Sequence, residues 1–347
     1  MKLAHLLNVR RYRRCREIFS SPLKSHVRIA AAVPRPLSLP MMRGGALRVE
    51  SPRQARGLFD WILRASPDPF PVDAEDDIVV FQHEGRRIAL RLLDTDFFTF
   101  AELFLRDAYG LNAMRPSLGD VVDLGANIGL FAVRVAPMAE RVISVEPVEA
   151  NLRLARRNVS LAALDAKITL RRYAVSPQPR DHVRLFLSQG NHGGHSISAE
   201  HAAQWGTAGY EDVPAITLAE LFDREQITRC SLLKCDIEGA EFDIIDAASE
   251  ELLARIDRII MEVHLTVDRW REHQLEAVCA KLRDCGFSVV HESVHDGGER
   301  LRPVLMLSAT RPQTVQAKSY SPAMDRYKTD PQSQFSSTLK PAEAKSP

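Results

Sequence analysis

Between residues 119 and 310 the chain alternates short apolar runs with segments whose apolar residues recur every three or four positions. The runs at 121–124, 142–145, 168–173, 231–236, 258–264, 288–292 and 304–308 predict strands. The periodic segments at 127–138, 149–162, 218–226, 240–253 and 267–285 predict helices. Such alternation makes a parallel sheet covered on both faces by right-handed crossovers. The last two strands depart from it. Only 293–300, with Asp296-Gly297-Gly298, joins them, which is too short for a helical crossover, so they should pair antiparallel. The expected sheet is therefore not the all-parallel dinucleotide-binding kind.

Upstream, 78–82 and 87–92 flank His83-Glu84-Gly85-Arg86 and read as a hairpin. Phe97, Phe100, Leu103 and Phe104 give 97–109 a helical spacing. Residues 1–50 carry Pro34, Pro36, Pro40 and Gly44-Gly45 among basic side chains without a sustained period. They read as a largely irregular extension with a short basic helix near 3–19. Residues 311–347 are rich in Ser, Pro, Lys and Gln, hold too little apolar surface to offset ordering entropy, and should be disordered. The expected division is an extension at 1–50, a helix/hairpin segment at 51–118, a core domain at 119–310 and a tail at 311–347.

With 347 residues, 45% hydrophobic and 26% charged, the composition excludes a wholly disordered chain, a collagen-like repeat and a disulfide-rich miniprotein. No apolar run approaches the ~20 residues of a spanning helix. The net charge of +1 hides a division, because residues 1–50 hold eleven Lys or Arg against Glu17 and Glu50. Residues 311–347 hold six basic and three acidic side chains, which leaves the stretch 51–310 at −11. An acidic body is a poor partner for nucleic acid, whose binding rests on neutralised phosphates. The basic arm is instead a candidate for weak contact with an anionic membrane surface. Cys15, Cys230, Cys235, Cys279 and Cys285 form no C-x-x-C pair and are odd in number. They read as reduced thiols of a cytoplasmic protein. The Arg-rich start is no secretory signal, though it also resembles an organellar transit peptide.

Val121-Val122-Asp123-Leu124-Gly125-Ala126-Asn127-Ile128-Gly129 ends one buried strand and opens a helix. Gly125 permits the tight turn and Gly129 close packing of helix on strand. Glu146 ends the next strand, 21 residues after Gly125, where a carboxylate can accept bonds from both ribose hydroxyls of an adenosine. A dinucleotide loop needs a second glycine where Asn127 stands, and Asp123 would repel a pyrophosphate. The loop instead suits S-adenosylmethionine, whose ammonium and sulfonium an acidic residue attracts. A second cluster, Lys234-Cys235-Asp236-Ile237-Glu238-Gly239-Ala240-Glu241, emerges from the fourth core strand, and Glu262 and His264 end the fifth. Ligands of open α/β sheets sit at those strand ends.

These segments, with Glu146-Pro147 and Glu262-Val263-His264, resemble in order and spacing the FkbM family of S-adenosylmethionine-dependent methyltransferases over about residues 75–310. The resemblance implies a class I, Rossmann-like seven-stranded sheet with an antiparallel last strand. It also implies methyl transfer to a hydroxyl, often of a sugar, glycolipid or polyketide. A Thr-Leu-Asp of the family reads Thr217-Leu218-Ala219 here, so any role of that Asp is missing. The loop 188–198, with Asn191, His192, His195 and Ser196, is similar in placement to the family's polar loop.

Donor contacts are expected from Asp123, Gly125, Ala126, Asn127, Gly129, Glu146 and Asp236. His264 is the first candidate for general base, because its ordinary pKa lies near working pH. Asp236 or Glu238 is the second. Lys234 should pair with a carboxylate of the cluster, and Glu241 should stabilise the start of its own helix. Asp236, Glu238 and Glu262 could also hold Mg²⁺, although no metal is expected. A nicotinamide-dependent oxidoreductase and a noncatalytic binding module are the alternatives. The missing middle glycine argues against the first, and intact Asp123, Glu146 and Asp236 against the second. The pattern selects neither an acceptor nor an oligomeric state.

Overall fold

The computed structural model describes residues 12–13, 15–16, 19–31, 37–40, 46–49, 70–75, 78–91, 94–114, 117–189, 191–203, 206–264, 272–295 and 304–312. Its first fifty residues hold more regular structure than the irregular extension expected there. Tyr12, Arg13, Cys15 and Arg16 are helical. Pro22 opens helix α1 (Pro22–Ala31), at a position where its fixed φ fits and its missing N–H costs nothing. Strands β1 (Leu37–Pro40) and β2 (Ala46–Val49) pair antiparallel. Cys15, Phe19 and Leu39 are buried in the main core. These few apolar anchors dock a segment whose prolines and charges dominate its pattern.

The expected hairpin is the second half of a three-stranded meander, β3 (Phe70–Glu75), β4 (Ile78–His83) and β5 (Arg86–Arg91). Glu84 and Gly85 make its turn with φ of 47° and 77°. Helix α2 (Asp94–Phe100) continues as a π-helix, Ala101–Arg106, which ends three residues short of expectation. Asp107 terminates it at φ 53°, and its carboxylate accepts the N–H groups of Leu111 and Asn112 at 2.8 and 3.0 Å.

The core domain runs β6 (Leu118–Leu124), α3 (Leu130–Val135), β7 (Ala139–Val145), α4 (Glu149–Leu161) and β8 (Ile168–Arg171). The strand expected at 168–173 stops at Arg171, and the chain crosses to β9 (Ala174–Val175) in another sheet. There β10 (His182–Ser188), helix α5 (Ala199–Ala203) and β11 (Thr207–Ile216) form an insertion absent from the sequence-based expectation. The first four residues of β11 are exposed, so they carry no apolar alternation to announce a strand. Next come α6 (Leu218–Arg224) and β12 (Cys230–Cys235). The helix expected at 240–253 is two, α7 (Glu241–Ala247) and α8 (Glu250–Ala254). Ser249 leaves the helical path and accepts the Leu252 N–H at 3.2 Å, restarting the helix with a new cap. Then follow β13 (Arg258–His264), α9 (Glu272–Asp284), β14 (Ser288–His295) and β15 (Val304–Thr310). Residues 267–271 of the expected last helix lie outside the described residues.

Seven strands form the central sheet in the order β14-β15-β13-β12-β6-β7-β8. All run parallel except β15, which is antiparallel to both neighbours. This is the Rossmann-like sheet with an antiparallel last strand that the pattern predicts. Val121, Val122, Leu232, Leu233 and Ile259 have no exposed surface. On one face pack α3, α4 and the β4–β5 segment; on the other pack α6, α7, α8 and α9. Chain order reverses between β6 and β12, so a crevice opens at their carboxyl ends. Arg311 closes the domain by donating to the carbonyls of Leu253, Ile256 and Cys285 at 2.7–2.9 Å. The expected disordered tail lies, from 313 on, outside the described residues. No helix among the described residues is long and apolar enough to cross a membrane.

Candidate active site

The turn after β6 is built by backbone conformations that few residues adopt. Gly125, Asn127 and Gly129 have φ of 79°, 49° and 77°. A Cβ on Gly125 would stand 1.7 Å from the Asp236 carbonyl oxygen, so the glycine turn and the β12 exit are in direct contact. The N–H groups of Gly125 and Ala126 both donate to the Val145 carbonyl, at 3.0 and 2.9 Å. Glu146, buried at the end of β7, accepts the Asn127 N–H on Oε2 at 2.8 Å. Its Oε1 accepts the Val148 N–H at 3.0 Å and the Asn151 amide at 3.3 Å. Burial raises its pKa against those three bonds.

Asp123 does not face open crevice. It is wholly buried, accepts the Ser144 hydroxyl at 3.2 Å and lies 3.3 Å from the Lys234 ammonium. Lys234 reaches Asp236 at 3.3 Å and donates to the carbonyls of Leu124 and Gly125 at 3.3 and 2.8 Å. Burial works against its charge, yet Asp236 and Asp123 hold its pKa above the ordinary value. The expected pairing of Lys234 with cluster carboxylates is thus observed, and it spends much of Asp123 on structure.

Beyond β12, Glu238 takes φ 59°. His264 Nδ1 lies 3.1 Å from Glu241, while Nε2 lies 3.6 Å from Glu238 and 3.8 Å from Glu262. Glu241 is buried and accepts the N–H groups of Ile237 and Gly239 at 3.2 and 3.0 Å. It therefore shapes the loop before its helix, and also holds the imidazole. Two side chains outside the expected set, Tyr109 and His201, complete the cluster together with Ser196 of the polar loop. Tyr109 donates to Glu262 at 2.9 Å and lies 3.4 Å from Asp236. His201, buried on the insertion helix α5, meets Glu238 at 2.6 Å, and Ser196 donates to the Glu238 carbonyl. Tyr109 ends a segment of helical spacing, which was its one sequence signal; nothing in the pattern of α5 announced His201.

Burial disfavours an imidazolium at His264, but Glu238, Glu241 and Asp236 outweigh it and raise its pKa well above 6.5. A shift in that direction opposes the base role expected of His264, which needs a vacant ring nitrogen. Burial is likewise outweighed at Glu238 and Glu241, chiefly by His264, and both stay below the usual Glu range. Glu262 behaves oppositely: burial and Asp236 push it to about 7. In the insertion loop, His195 accepts the Ser188 N–H on Nδ1 at 3.0 Å. Burial, then His192 and Arg91, lower it to about 4, so it is neutral. Tyr173 accepts from Arg224 and packs on the apolar face that α6, α7, α8 and α9 cover.

Asn127 Oδ1 is a buried acceptor without a hydrogen-bond partner among the described residues. With the Glu146 carboxylate it fits a ligand that brings donors, as ribose hydroxyls and an ammonium do. Asp236, Glu238 and His264 each bring a ligand atom to within 4.8 Å of the others, a spacing that could also hold a metal ion.

The FkbM methyltransferase domain model matches residues 123–289, from Asp123 of the glycine turn into β14. Residues 123–289 belong to the FkbM methyltransferase family. The match takes in both ends of the crevice, and the sheet order is that of a class I methyltransferase. Among curated proteins, the AMB antimetabolite synthetase AmbE of Pseudomonas aeruginosa is 27% identical over 250 residues, which is 62% of this chain. The chain spans only 12% of the length of AmbE. Methyltransferase 1 of Beauveria bassiana is 25% identical over 211 residues, 55% of this chain and 80% of the relative. Among solved structures, TYW2 of M. jannaschii in complex with AdoMet is 11% identical with a TM-score of 0.39, covering 69% of this chain and 88% of that one. TrmK of M. capricolum in complex with S-adenosyl-homocysteine is 9% identical with a TM-score of 0.35, covering 59% and 67%.

Proposed function

We propose that the FkbM domain transfers a methyl group from S-adenosylmethionine to a hydroxyl of a sugar, glycolipid or polyketide-type small molecule. One observation carries the reading. The glycine turn is bonded directly to Glu146 and abuts Asp236, so a donor-binding turn and an acidic reaction cluster share one strand-end crevice. When bound, S-adenosylmethionine supplies an electrophilic methyl on a sulfonium, itself a good leaving group. The chain's task is then alignment, which can supply ~7–11 kcal/mol, and removal of the acceptor proton, worth ~10²–10⁴ in rate.

Glu146 and Asn127 offer acceptors to the adenosine end. Asp236 and Glu238 orient the reacting end. Glu262, with its pKa near 7 and one oxygen engaged by Tyr109, takes the proton from the acceptor hydroxyl. Protonated His264 serves as the counter-charge that keeps Glu238 and Glu241 ionised beside it.

Calorimetric titration of the purified protein with S-adenosylhomocysteine, with NAD⁺ in parallel, tests the donor. Micromolar binding of the first, weakened at least tenfold in Glu146→Ala, together with no binding of NAD⁺, is the expected outcome. Absence of S-adenosylhomocysteine binding, or tighter binding of NAD⁺, would discard the reading. Labelled methyl transfer to a panel of hydroxylated acceptors then addresses the second substrate.

A further inference from the structure

The family match begins at Asp123, yet polar contacts reach the donor side of the crevice from far upstream. Arg91, the last residue of β5, donates from its backbone N–H and from Nε to Asp96 Oδ2 at 2.9 and 2.8 Å, and from Nη2 to Oδ1 at 2.7 Å. Asp96 has no exposed surface. The remaining arm of the guanidinium, Nη1, donates to Asn151 Oδ1 at 2.9 Å. The Asn151 amide then donates to Glu146 Oε1 at 3.3 Å and to the His192 carbonyl at 3.0 Å. Asn151 is 2% exposed. One amide therefore touches the meander, the donor carboxylate and the insertion loop at once.

A second contact repeats the arrangement two helical turns along. Asn158, seven residues after Asn151 and wholly buried, accepts the Ala89 N–H from β5 at 2.6 Å. It donates to the Ile128 carbonyl, inside the glycine turn, at 2.9 Å. Residues seven apart lie on one face of a helix. This face of α4 would be expected to be apolar, since Leu154, Ala155 and Val159 are buried beside it. Instead it carries two asparagines that join β5 to both halves of the donor site. Buried polar groups demand full satisfaction, so each link fixes orientation as well as contact.

We propose that Arg91 and Asp96 are positioning residues of the donor site, acting through Asn151 on the Glu146 carboxylate, so that the meander before the FkbM segment is part of the binding machinery. The proposal rests on the donor reading given above. Neither residue touches the donor. Arg91 holds Asn151 by its oxygen, which turns the amide nitrogen toward Glu146 and the insertion loop. Without that hold the amide can rotate, and Glu146 loses a donor that fixes Oε1.

The test is a double-mutant cycle read by calorimetric S-adenosylhomocysteine affinity. The variant Arg91→Gln/Asp96→Asn removes both charges together, so that no buried ion is left alone. It is combined with Glu146→Gln, which keeps the shape of the carboxylate and measurable binding. The expected result is at least a tenfold weaker affinity for Arg91→Gln/Asp96→Asn in the native background, shrinking to less than twofold in the Glu146→Gln background. An equal loss in both backgrounds would mean general destabilisation and overturn the proposal; so would native affinity. Should Arg91→Gln/Asp96→Asn not fold, Arg91→Lys, which keeps a cation beside Asp96 but lacks the fork that holds Asp96 and Asn151 together, enters the same cycle with the same criteria. Native-like affinity in these variants leaves the donor reading standing while this inference fails. Failure of the unaltered protein to bind S-adenosylhomocysteine removes both.

Discussion

Gly125 and Gly209 separate two reasons for glycine at a positive φ. Gly209, at φ 117° in β11, has nothing within 4 Å of the place a Cβ would take. Gly125, at φ 79°, would drive its Cβ to 1.7 Å from the Asp236 carbonyl oxygen, and backbone cannot move aside as a side chain can. Gly209→Ala should therefore cost only backbone strain, about 1–3 kcal/mol. Gly125→Ala adds a clash at the junction of β6 and β12 and should exceed about 4 kcal/mol, or abolish cooperative unfolding. Urea denaturation of the two variants reads the difference. Equal costs would show that the β12 exit yields and that the turn is not clamped as described. The same contact explains why the glycine was legible from sequence while its reason was not. A tight turn after a strand is a local signal, whereas the approach of Asp236 joins residues more than a hundred apart.

At the scale of elements, the short helices α7 and α8 show a local cap prevailing over a longer apolar period. Ile244, Ile245, Leu252 and Leu253 are all buried with spacing that one helix would satisfy. Ser249 nevertheless takes an extended conformation at φ −70° and ψ 159° and caps the second helix. Ser249→Ala should cost about 1 kcal/mol, read as a lowered urea midpoint with unchanged slope; no change would mean that packing alone sets the break. Elements legible in sequence were those whose pattern is their burial, such as β6, β7, β12 and β13. The insertion strands were illegible because their outward residues are polar and their pairing is non-local. In the site, Asp236, Glu238 and His264 stand out in the sequence because they end apolar strands or follow them directly, and the structure brings them together. Arg91, Asp96 and His201 end or interrupt elements whose relation to the crevice only the fold establishes. Asn151 and Asn158 do carry a sequence signal, polar residues on the buried stripe of a helix, but the apolar period around them masks it.

For the molecule as a whole, the crevice fixes how stability varies with pH. Glu262 titrates near 7 in the folded chain against 4.5 for an ordinary Glu. Burial also raises Asp123, Glu146 and Glu102. A carboxyl group with a raised folded pKa binds more protons folded than unfolded, so its contribution to stability falls as pH climbs from its ordinary value to its folded one. His264, raised well above 6.5 by Glu238, Glu241 and Asp236, acts in the same direction. Its stabilisation is complete below 6.5 and is lost as pH rises through its folded pKa. Glu238 and Glu241, held low chiefly by His264, set the acid limit, because their contribution disappears as pH falls below about 4.5. The folded state should therefore be most stable near pH 5 and decline toward pH 8. Glu262→Gln removes one carboxyl from the declining side and leaves the acid limit in place. Thermal melts of both proteins at pH 4, 5, 6, 7 and 8 should show the variant gaining on the native chain between pH 5 and 8, with no gain below pH 5. A constant difference across the range would mean that Glu262 titrates as an ordinary surface carboxylate. Its assignment as the group that accepts the hydroxyl proton would then lose its physical basis, because a base already ionised at pH 5 has little proton affinity to offer at neutral pH.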